Sequence, residues 1–329
     1  MKPFDYYSVT SSAQAVSLLS KYQQKAAILA GGSDLLGMMK DRLEGPKLKM
    51  PGHLIDIKGI KELSYIKEPK SGLKIGAGTL LSEILSSDTI SKKYPLLSQA
   101  AGQVGVPQIR NVGTLGGNLC QKPRCWYFRG KLFGDCFRKG GNNCYAPGGE
   151  NRYHALFGGA NCFKIHPSDL APALIALGAK VEIASSKGSR TVPLEKFYVG
   201  PDKNILGETI LTPQEMVLAV EIPHPGAMSK GVYLKLKERE AFDFALVSVA
   251  VNLSFKNNVV DQARIAFGGL APFPMRAVKA EAALKGKGIR EAVAAACKAA
   301  VEGAEPLSQN GYKVDAAKGI LEKALVKLA

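Results

Sequence analysis

Apolar positions near the start of the chain switch between two periods. "FDYYSV" reads as a strand, and "AQAVSLLSKY" carries Val16, Leu18 and Leu19 at helical spacing behind a candidate N-cap at Ser11 or Ser12. "KAAILAGG" reads as a second strand ending in glycines, "DLLGMMKDRL" as a helix and "HLIDIKGI" as a third strand. This alternation predicts a β-α-β-α-β lobe over residues 1–60.

Residues 61–225 mix helix signals with glycine-rich turns. "YPLLSQAAGQVG" and "SDLAPALIALG" have helical patterns, and "KVEIASSKGSRTVPL" predicts two strands about a polar turn. "EMVLAVEIPHP" closes the region, with Pro223 and Pro225 marking a boundary. Residues 226–329 begin with strand patterns, place a hairpin at "KNNVVD", and end in two Ala-rich helices. Strands followed by helices make the predicted fold class α+β.

Composition narrows the function classes. The 329 residues suffice for more than one core, and no apolar run approaches the length of a membrane span. The start "MKPFDYYSVTSS" has neither a secretory pattern nor a twin arginine, so cytoplasmic residence is expected unless a partner carries an export signal. A formal charge of +16 is spread among glutamates rather than massed in one block. With no helix-turn-helix punctuation and no paired-histidine finger, a solvated basic face or one that meets an acidic partner subunit is expected rather than nucleic acid. No nucleophile–base constellation stands out, and no catalytic residue is assigned.

Two glycine-rich turns carry candidate chemistry. In "ILAGGSDLLGMMK" the residues Ala30, Gly31, Gly32, Ser33 and Asp34 lie between a strand and a helix, where bare backbone N–H groups can approach an anion. "NVGTLGGNL" repeats the device with Gly113, Thr114, Gly116, Gly117 and Asn118. Neither is a Walker loop or a G-x-G-x-x-G fingerprint. Two such loops in different lobes suit a ligand with a central diphosphate and a ring system at each end, as FAD has. In "HPSD", Ser168 or Asp169 caps the following helix, and the carboxylate could also hold a sugar hydroxyl.

Five of the six cysteines fall in one irregular stretch, at Cys120, Cys125, Cys136, Cys144 and Cys162, while Cys297 sits apart in an Ala-rich helix as a small apolar residue. In a reducing compartment such a group reads as ligands before disulfides. The spacing C-x10-C-x7-C-x17-C from Cys125 lacks the C-x2-C knuckles usual for structural zinc. An iron–sulfur cluster, zinc and unligated thiols all stay open on spacing. His154 and His166 lie among the thiols, where either could replace a thiolate but packed or capping roles are favoured, and Trp126, Tyr127, Phe128 and Phe133 offer a shield or a small local core.

Taken together, "AILAGGSDLLGMMK", "IGAGTLLSEI", "QIRNVGTLGGNL", "HPSDLAPALIALGAKV", "EMVLAVEIP" and "REAFDFALVSVAV…IAFGGLAPFPMRAVKAE" resemble the FAD-binding medium subunit of the molybdenum hydroxylases over essentially the whole chain. That family includes xanthine dehydrogenase, carbon monoxide dehydrogenase, aldehyde oxidoreductase and 4-hydroxybenzoyl-CoA reductase. The resemblance implies a two-lobed FAD-binding fold of the vanillyl-alcohol-oxidase (PCMH) type, then a C-terminal α/β domain of the CO dehydrogenase flavoprotein type. It implies that Ala30–Asp34 and Gly113–Asn118 hold the FAD diphosphate and sugar, that Thr79 lines the site, and that Asp169 bonds ribityl or ribose hydroxyls. Lys235 would lie near the flavin ring, with Lys237 in reach of the same place.

Plain members pass almost directly from the second glycine loop to the "SD" helix, whereas here an insertion at about 120–164 intervenes. It looks like the variant whose inserted cysteines hold a [4Fe–4S] cluster, which implies Cys125, Cys136, Cys144 and Cys162 as ligands and Cys120 as the spare, since it falls where the family often has an apolar residue. The implied partners are a large molybdenum-cofactor subunit and a small [2Fe–2S] subunit, with ferredoxin or another protein as external acceptor. Two other classes stay in view: a self-sufficient flavin oxidoreductase, and a zinc-stabilised basic nucleic-acid-binding protein.

Overall fold

The computed structural model describes residues 1–226 and 228–329, and in it three sheets follow one another along the chain. The first is parallel: β1 (Asp5–Ser8), β2 (Ala26–Leu29) and β3 (His53–Asp56), in the order β1-β3-β2. Parallel strands cannot be joined by a hairpin, so each connection crosses over. The helix Ser12–Tyr22 makes the first crossover and buries Ala15, Val16 and Leu19. Its cap is Ser11, whose Oγ accepts the Gln14 N–H at 3.3 Å. The helix Leu35–Lys40 lies on the second crossover.

The second sheet is antiparallel, with β4 (Ile66–Lys67), β5 (Gly72–Gly76), β6 (Lys180–Ser185), β7 (Gly188–Pro193) and β8 (Met216–Pro223) in the order β4-β5-β8-β6-β7. The whole stretch 77–179 lies between β5 and β6, and it includes the second glycine loop and all five clustered cysteines. The chain returns through the helix Leu170–Ala176, every residue of which is buried. A helix apolar all round needs walls on all sides. The second lobe supplies Leu97, Val181 and Val220, and the third sheet supplies Ala250 and Ala266.

That third sheet is also antiparallel: β9 (Ser229–Leu236), β10 (Val247–Lys256), β11 (Val259–Gly268) and β12 (Met275–Arg276), in the order β12-β11-β10-β9. The turn expected at "KNNVVD" forms because Asn257 and Asn258 accept φ values of 52° and 62°, the left-handed pair a two-residue hairpin requires. Helices Val278–Leu284, Ile289–Ala300 and Tyr312–Val326 cover one face, burying Val249, Phe267, Ala292 and Leu321. Cys297 packs in this core, far along the chain from the other thiols.

The cysteine-rich insertion has little regular structure, only the helix Trp126–Arg129 and a 3-10 turn at Phe137–Lys139. Its own aromatic residues Tyr127, Phe133 and Tyr145 pack on one another, and other apolar residues turn to the first lobe. Phe128 and Cys136 pack against Met38 and Leu43 of that lobe. On the opposite side the C-terminal helices hold it by polar groups. Lys313 Nζ donates to the carbonyls of Tyr153 and His154, and Asn310 Nδ2 to those of His154 and Ala155. Among the described residues no helix is long and apolar enough to cross a membrane.

Candidate functional site

A cleft of about 530 Å³ opens where the three regions meet, within the size range of cofactor sites. Its walls include Ala30–Asp34 from the loop after β2, Gly113, Thr114, Gly116, Gly117 and Asn118 from the second glycine loop, and Asp169. Backbone geometry explains the glycines. A Cβ on Gly31 would stand 2.0 Å from the Val112 carbonyl oxygen and 2.9 Å from Gly113 Cα, so the two loops touch through bare backbone. Gly32 adopts φ +71° to turn the chain into the helix Leu35–Lys40.

Among the described residues the N–H groups of Gly32, Ser33 and Asp34 donate to no protein acceptor. Successive free N–H groups at a tight turn form an anion-binding concavity. The second loop is more fully bonded. The Leu115 N–H donates to Thr79 O at 2.9 Å, that of Gly116 to Ala77 O at 2.8 Å, and that of Gly117 to Thr114 Oγ1 at 3.1 Å.

Three sequence candidates stand behind this wall. Thr79 is buried, and its hydroxyl is engaged with both the N–H and the carbonyl of Tyr65 at 3.0 Å. Ser168 caps its helix by accepting the Ala171 N–H at 3.0 Å and donates to Asn118 Oδ1 at 2.5 Å, which orients that amide. Lys235 is buried behind Asp169: its Nζ lies 2.8 Å from Asp169 Oδ2 and also donates to the carbonyls of Gln103 and Asp243. Lys237 instead reaches Gln103 Oε1 at 2.9 Å.

The second oxygen of Asp169 accepts from Tyr233 OH at 2.7 Å. Burial raises the pKa of this carboxyl, and the Lys235 ammonium opposes that. Lys235→Met should therefore destabilise the chain by about 3–5 kcal/mol at pH 7, because a buried carboxylate loses its counter-charge. The sign with pH follows. Without Lys235 the folded-state pKa rises further above its unfolded value, so stability is regained on acidification as Asp169 takes a proton. Urea unfolding at pH 7 and pH 5 checks this, and an equal loss at both would contradict it.

Sequence reasoning missed the mouth of the cleft. Arg239, Phe242, Asp243 and Phe244 line it from the loop after β9, and Lys122 and Arg124 line it from the start of the insertion. The loop has no periodicity to read, and Phe242 holds a φ of 54° that nothing in its residue type announces. Also missed was the tie between Asp34 and the insertion. Its Oδ1 accepts from Arg129 at 2.7 Å and Arg124 at 3.1 Å, and its Oδ2 from the Lys122 N–H at 2.7 Å.

One residue beyond the cleft wall at Arg124 the chain reaches Cys125. Cys125 and Cys136 pack in one buried cluster with Phe128. Cys144 and Cys162 share a hydrogen bond that lowers Cys144 to about 6 and holds Cys162 high, while Cys125 and Cys136 also feel the charge of Cys144. Burial pushes Cys125 up to about 12 and raises Cys136 as well. All six cysteines are free. Cys120 stands apart from the four, in the wall of the cleft.

Among the described residues no three His, Cys, Asp or Glu side chains converge on a single metal ion. A cubane cluster needs no such convergence, since each thiolate meets a different iron. His154 Nε2 lies 3.3 Å from Cys125 Sγ, whereas His166 packs edge-on against Tyr198 at 4.7 Å. Around the thiols charge is unbalanced. Arg138, Lys139 and Lys164 are all buried; Glu208 pairs with Arg138, with Lys164 at 3.2 Å and with Lys122 at 2.6 Å, while Lys139 donates to the Gly130 carbonyl. Burial, aided by Arg138, pushes Lys164 down to about 6, and only the charge of Cys162 opposes it. Such buried basic surroundings favour an anion.

Two family models match the chain: the FAD binding domain in molybdopterin dehydrogenase over residues 2–225, and the CO dehydrogenase flavoprotein C-terminal domain over residues 232–328. The aldehyde oxidoreductase FAD-binding subunit of Escherichia coli (strain K12) is 34% identical over 331 residues, covering 99% of this chain and 98% of that one. The carbon monoxide dehydrogenase medium chain of Hydrogenophaga pseudoflava is 31% identical, covering 98% and 96%. A solved structure of carbon monoxide dehydrogenase from the same organism superposes with a TM-score of 0.78 at 32% identity, over 98% of this chain and 96% of that chain. Fold and cleft thus define an oxidoreductase flavoprotein subunit. The chain belongs to the FAD-binding medium subunits of the molybdenum hydroxylases.

Proposed function

We propose that this chain is the FAD- and [4Fe–4S]-carrying electron-transfer subunit of a multi-subunit molybdenum hydroxylase, working beside a large molybdenum-cofactor subunit and a small [2Fe–2S] subunit. The observation that carries the reading is the insertion itself. Four thiols gather among buried basic groups that share a single buried carboxylate, Glu208, and the insertion leaves directly from the wall of the cleft.

In this reading the free N–H groups of Gly32–Asp34 and the turn at Gly113–Asn118 hold the diphosphate and its sugar, with Ala30 and Gly31 closing the backbone against Val112. Asp169 takes a ribityl or ribose hydroxyl. Ser168, Thr79 and Lys235 position the groups in front of them, respectively Asn118, the β5 end of the wall and Asp169. Cys125, Cys136, Cys144 and Cys162 are the cluster ligands. When bound, the flavin supplies a carrier that exchanges electrons singly or in pairs, and the cluster one that exchanges them singly. The protein's share is to hold both, exclude water with Phe128, Tyr127 and Leu156, and balance their charge.

Domain limits near residues 60 and 225 and a cytoplasmic setting belong to the same proposal, the latter because clustered thiols serving as ligands suit a reducing compartment. An acidic acceptor such as ferredoxin suits the +16 charge. Anaerobic purification with the partner chains, followed by flavin, iron, sulfide and zinc analysis, tests the reading. The expected result is about one FAD with four irons and four sulfides per chain. Flavin without iron in protein never exposed to oxygen would sink the cluster, and zinc without flavin would overturn the whole reading.

A further inference from the structure

Arg138 has no exposed face and no free choice of partner. It is 3% exposed, and its guanidinium stands 5.6 Å over the Phe128 ring that packs on Cys125 and Cys136. Nη1 donates to the carbonyls of Ile205 and Gly207, and Nη2 to the Glu208 carboxylate. Its Nε–H is buried and, among the described residues, donates to nothing. An unpaired buried donor on a cation costs several times what an exposed one does, so the site is built for an acceptor that the polypeptide does not supply.

The groups facing that guanidinium narrow the acceptor. Cys125, Cys136 and Cys162 lie within electrostatic reach of it, and Lys164 shares its Glu208 partner. Buried Arg138 and Lys164 share one buried carboxylate, Glu208, with Lys122, and the buried Lys139 amine reaches only the Gly130 carbonyl, which leaves basic groups in excess of acids beside the thiols. A cubane core bound by four thiolates is an anion whose negative charge grows when it is reduced.

We propose that Arg138 donates its Nε–H to a sulfur of the [4Fe–4S] cluster and that the Arg138–Glu208 pair sets the cluster's reduction potential, Arg138 raising it and Glu208 lowering it. This rests on the cluster reading above. Hydrogen bonds to sulfur and local net charge are two of the levers that fix such potentials. Arg138 is thus a positioning and tuning residue, with Nη1 and Nη2 fixing the guanidinium and leaving the Nε–H free for a sulfur.

The test uses the anaerobically purified holo-complex and an EPR-monitored redox titration, with iron, sulfide and flavin measured on each sample. At a fixed potential R138K should cut the cluster's reduced-to-oxidised ratio about tenfold, equivalent to ~59 mV for a one-electron couple. R138Q should lower it further, and E208Q should raise it. Flavin content stays as in the unaltered protein. A merely structural role would not move R138K and E208Q in opposite directions. R138K or E208Q with full iron and an unshifted midpoint overturns the assignment, and so does a downward shift in E208Q. Absence of iron from the unaltered complex defeats the cluster reading itself, a result distinguishable from either.

Discussion

Gly31→Ala should weaken FAD binding by more than about 100-fold, roughly 3 kcal/mol, while adding a single methyl group. The added carbon would stand 2.0 Å from Val112 O, 2.7 Å from Val112 C and 2.9 Å from Gly113 Cα. All three are backbone atoms of the other glycine loop, so no side chain can rotate to make room. The loops must part, and the free N–H groups of Gly32–Asp34 move relative to Gly113–Asn118. A ligand held by both loops loses one or the other. Gly37→Ala is the matched control. It lies in the following helix with nothing within 4 Å of the new Cβ, and it should be neutral or stabilising by up to about 1 kcal/mol. Flavin titration of the two variants decides. Wild-type affinity in Gly31→Ala would remove the first loop from the site.

The glycine loops and the elements around them were legible because short-range chemistry fixes them. Ser11 caps where a serine before an amphipathic run should, and the Asn257–Asn258 turn forms where two left-handed residues are affordable. The two strands of "KVEIASSKGSRTVPL" pair as β6 and β7 for the same local reason. What the sequence did not disclose is long-range. Asp34 reads as part of a ligand loop, but its carboxylate ties that loop to Arg124 and Arg129, about ninety residues on. Thr79 and Lys235 carry polar groups of the right kind, yet each faces a protein partner and not the cleft. Arg138 looks like one more basic residue in a basic chain until Glu208 and its unpaired Nε–H are seen. Periodicity says which face is apolar, and it says nothing of which charge meets which across an irregular insertion.

Cys136→Ala should strip the chain of iron and sulfide, from about four of each to below one, and leave the insertion unstable. Alanine offers no ligand, so the cluster loses one of four anchors. The second effect comes from charge. With the anionic cluster gone, Arg138 and Lys164 keep only Glu208 as a buried counter-ion and Lys139 only the Gly130 carbonyl. Breaking a buried charge balance of this kind costs about 3–5 kcal/mol, and the insertion has few apolar contacts to set against it beyond Phe128, Met38 and Leu43. Limited proteolysis should therefore cut within residues 120–164 of the variant while the lobes survive. Partial flavin loss is expected as well, since Arg124 and Arg129 would release Asp34. Cys120→Ser separates the four assigned ligands from the fifth thiol. Cys120 lines the cleft, so this variant should keep its iron. Iron lost equally from Cys120→Ser and Cys136→Ala would show that the ligand set was drawn wrongly, and full iron in Cys136→Ala would remove it from that set.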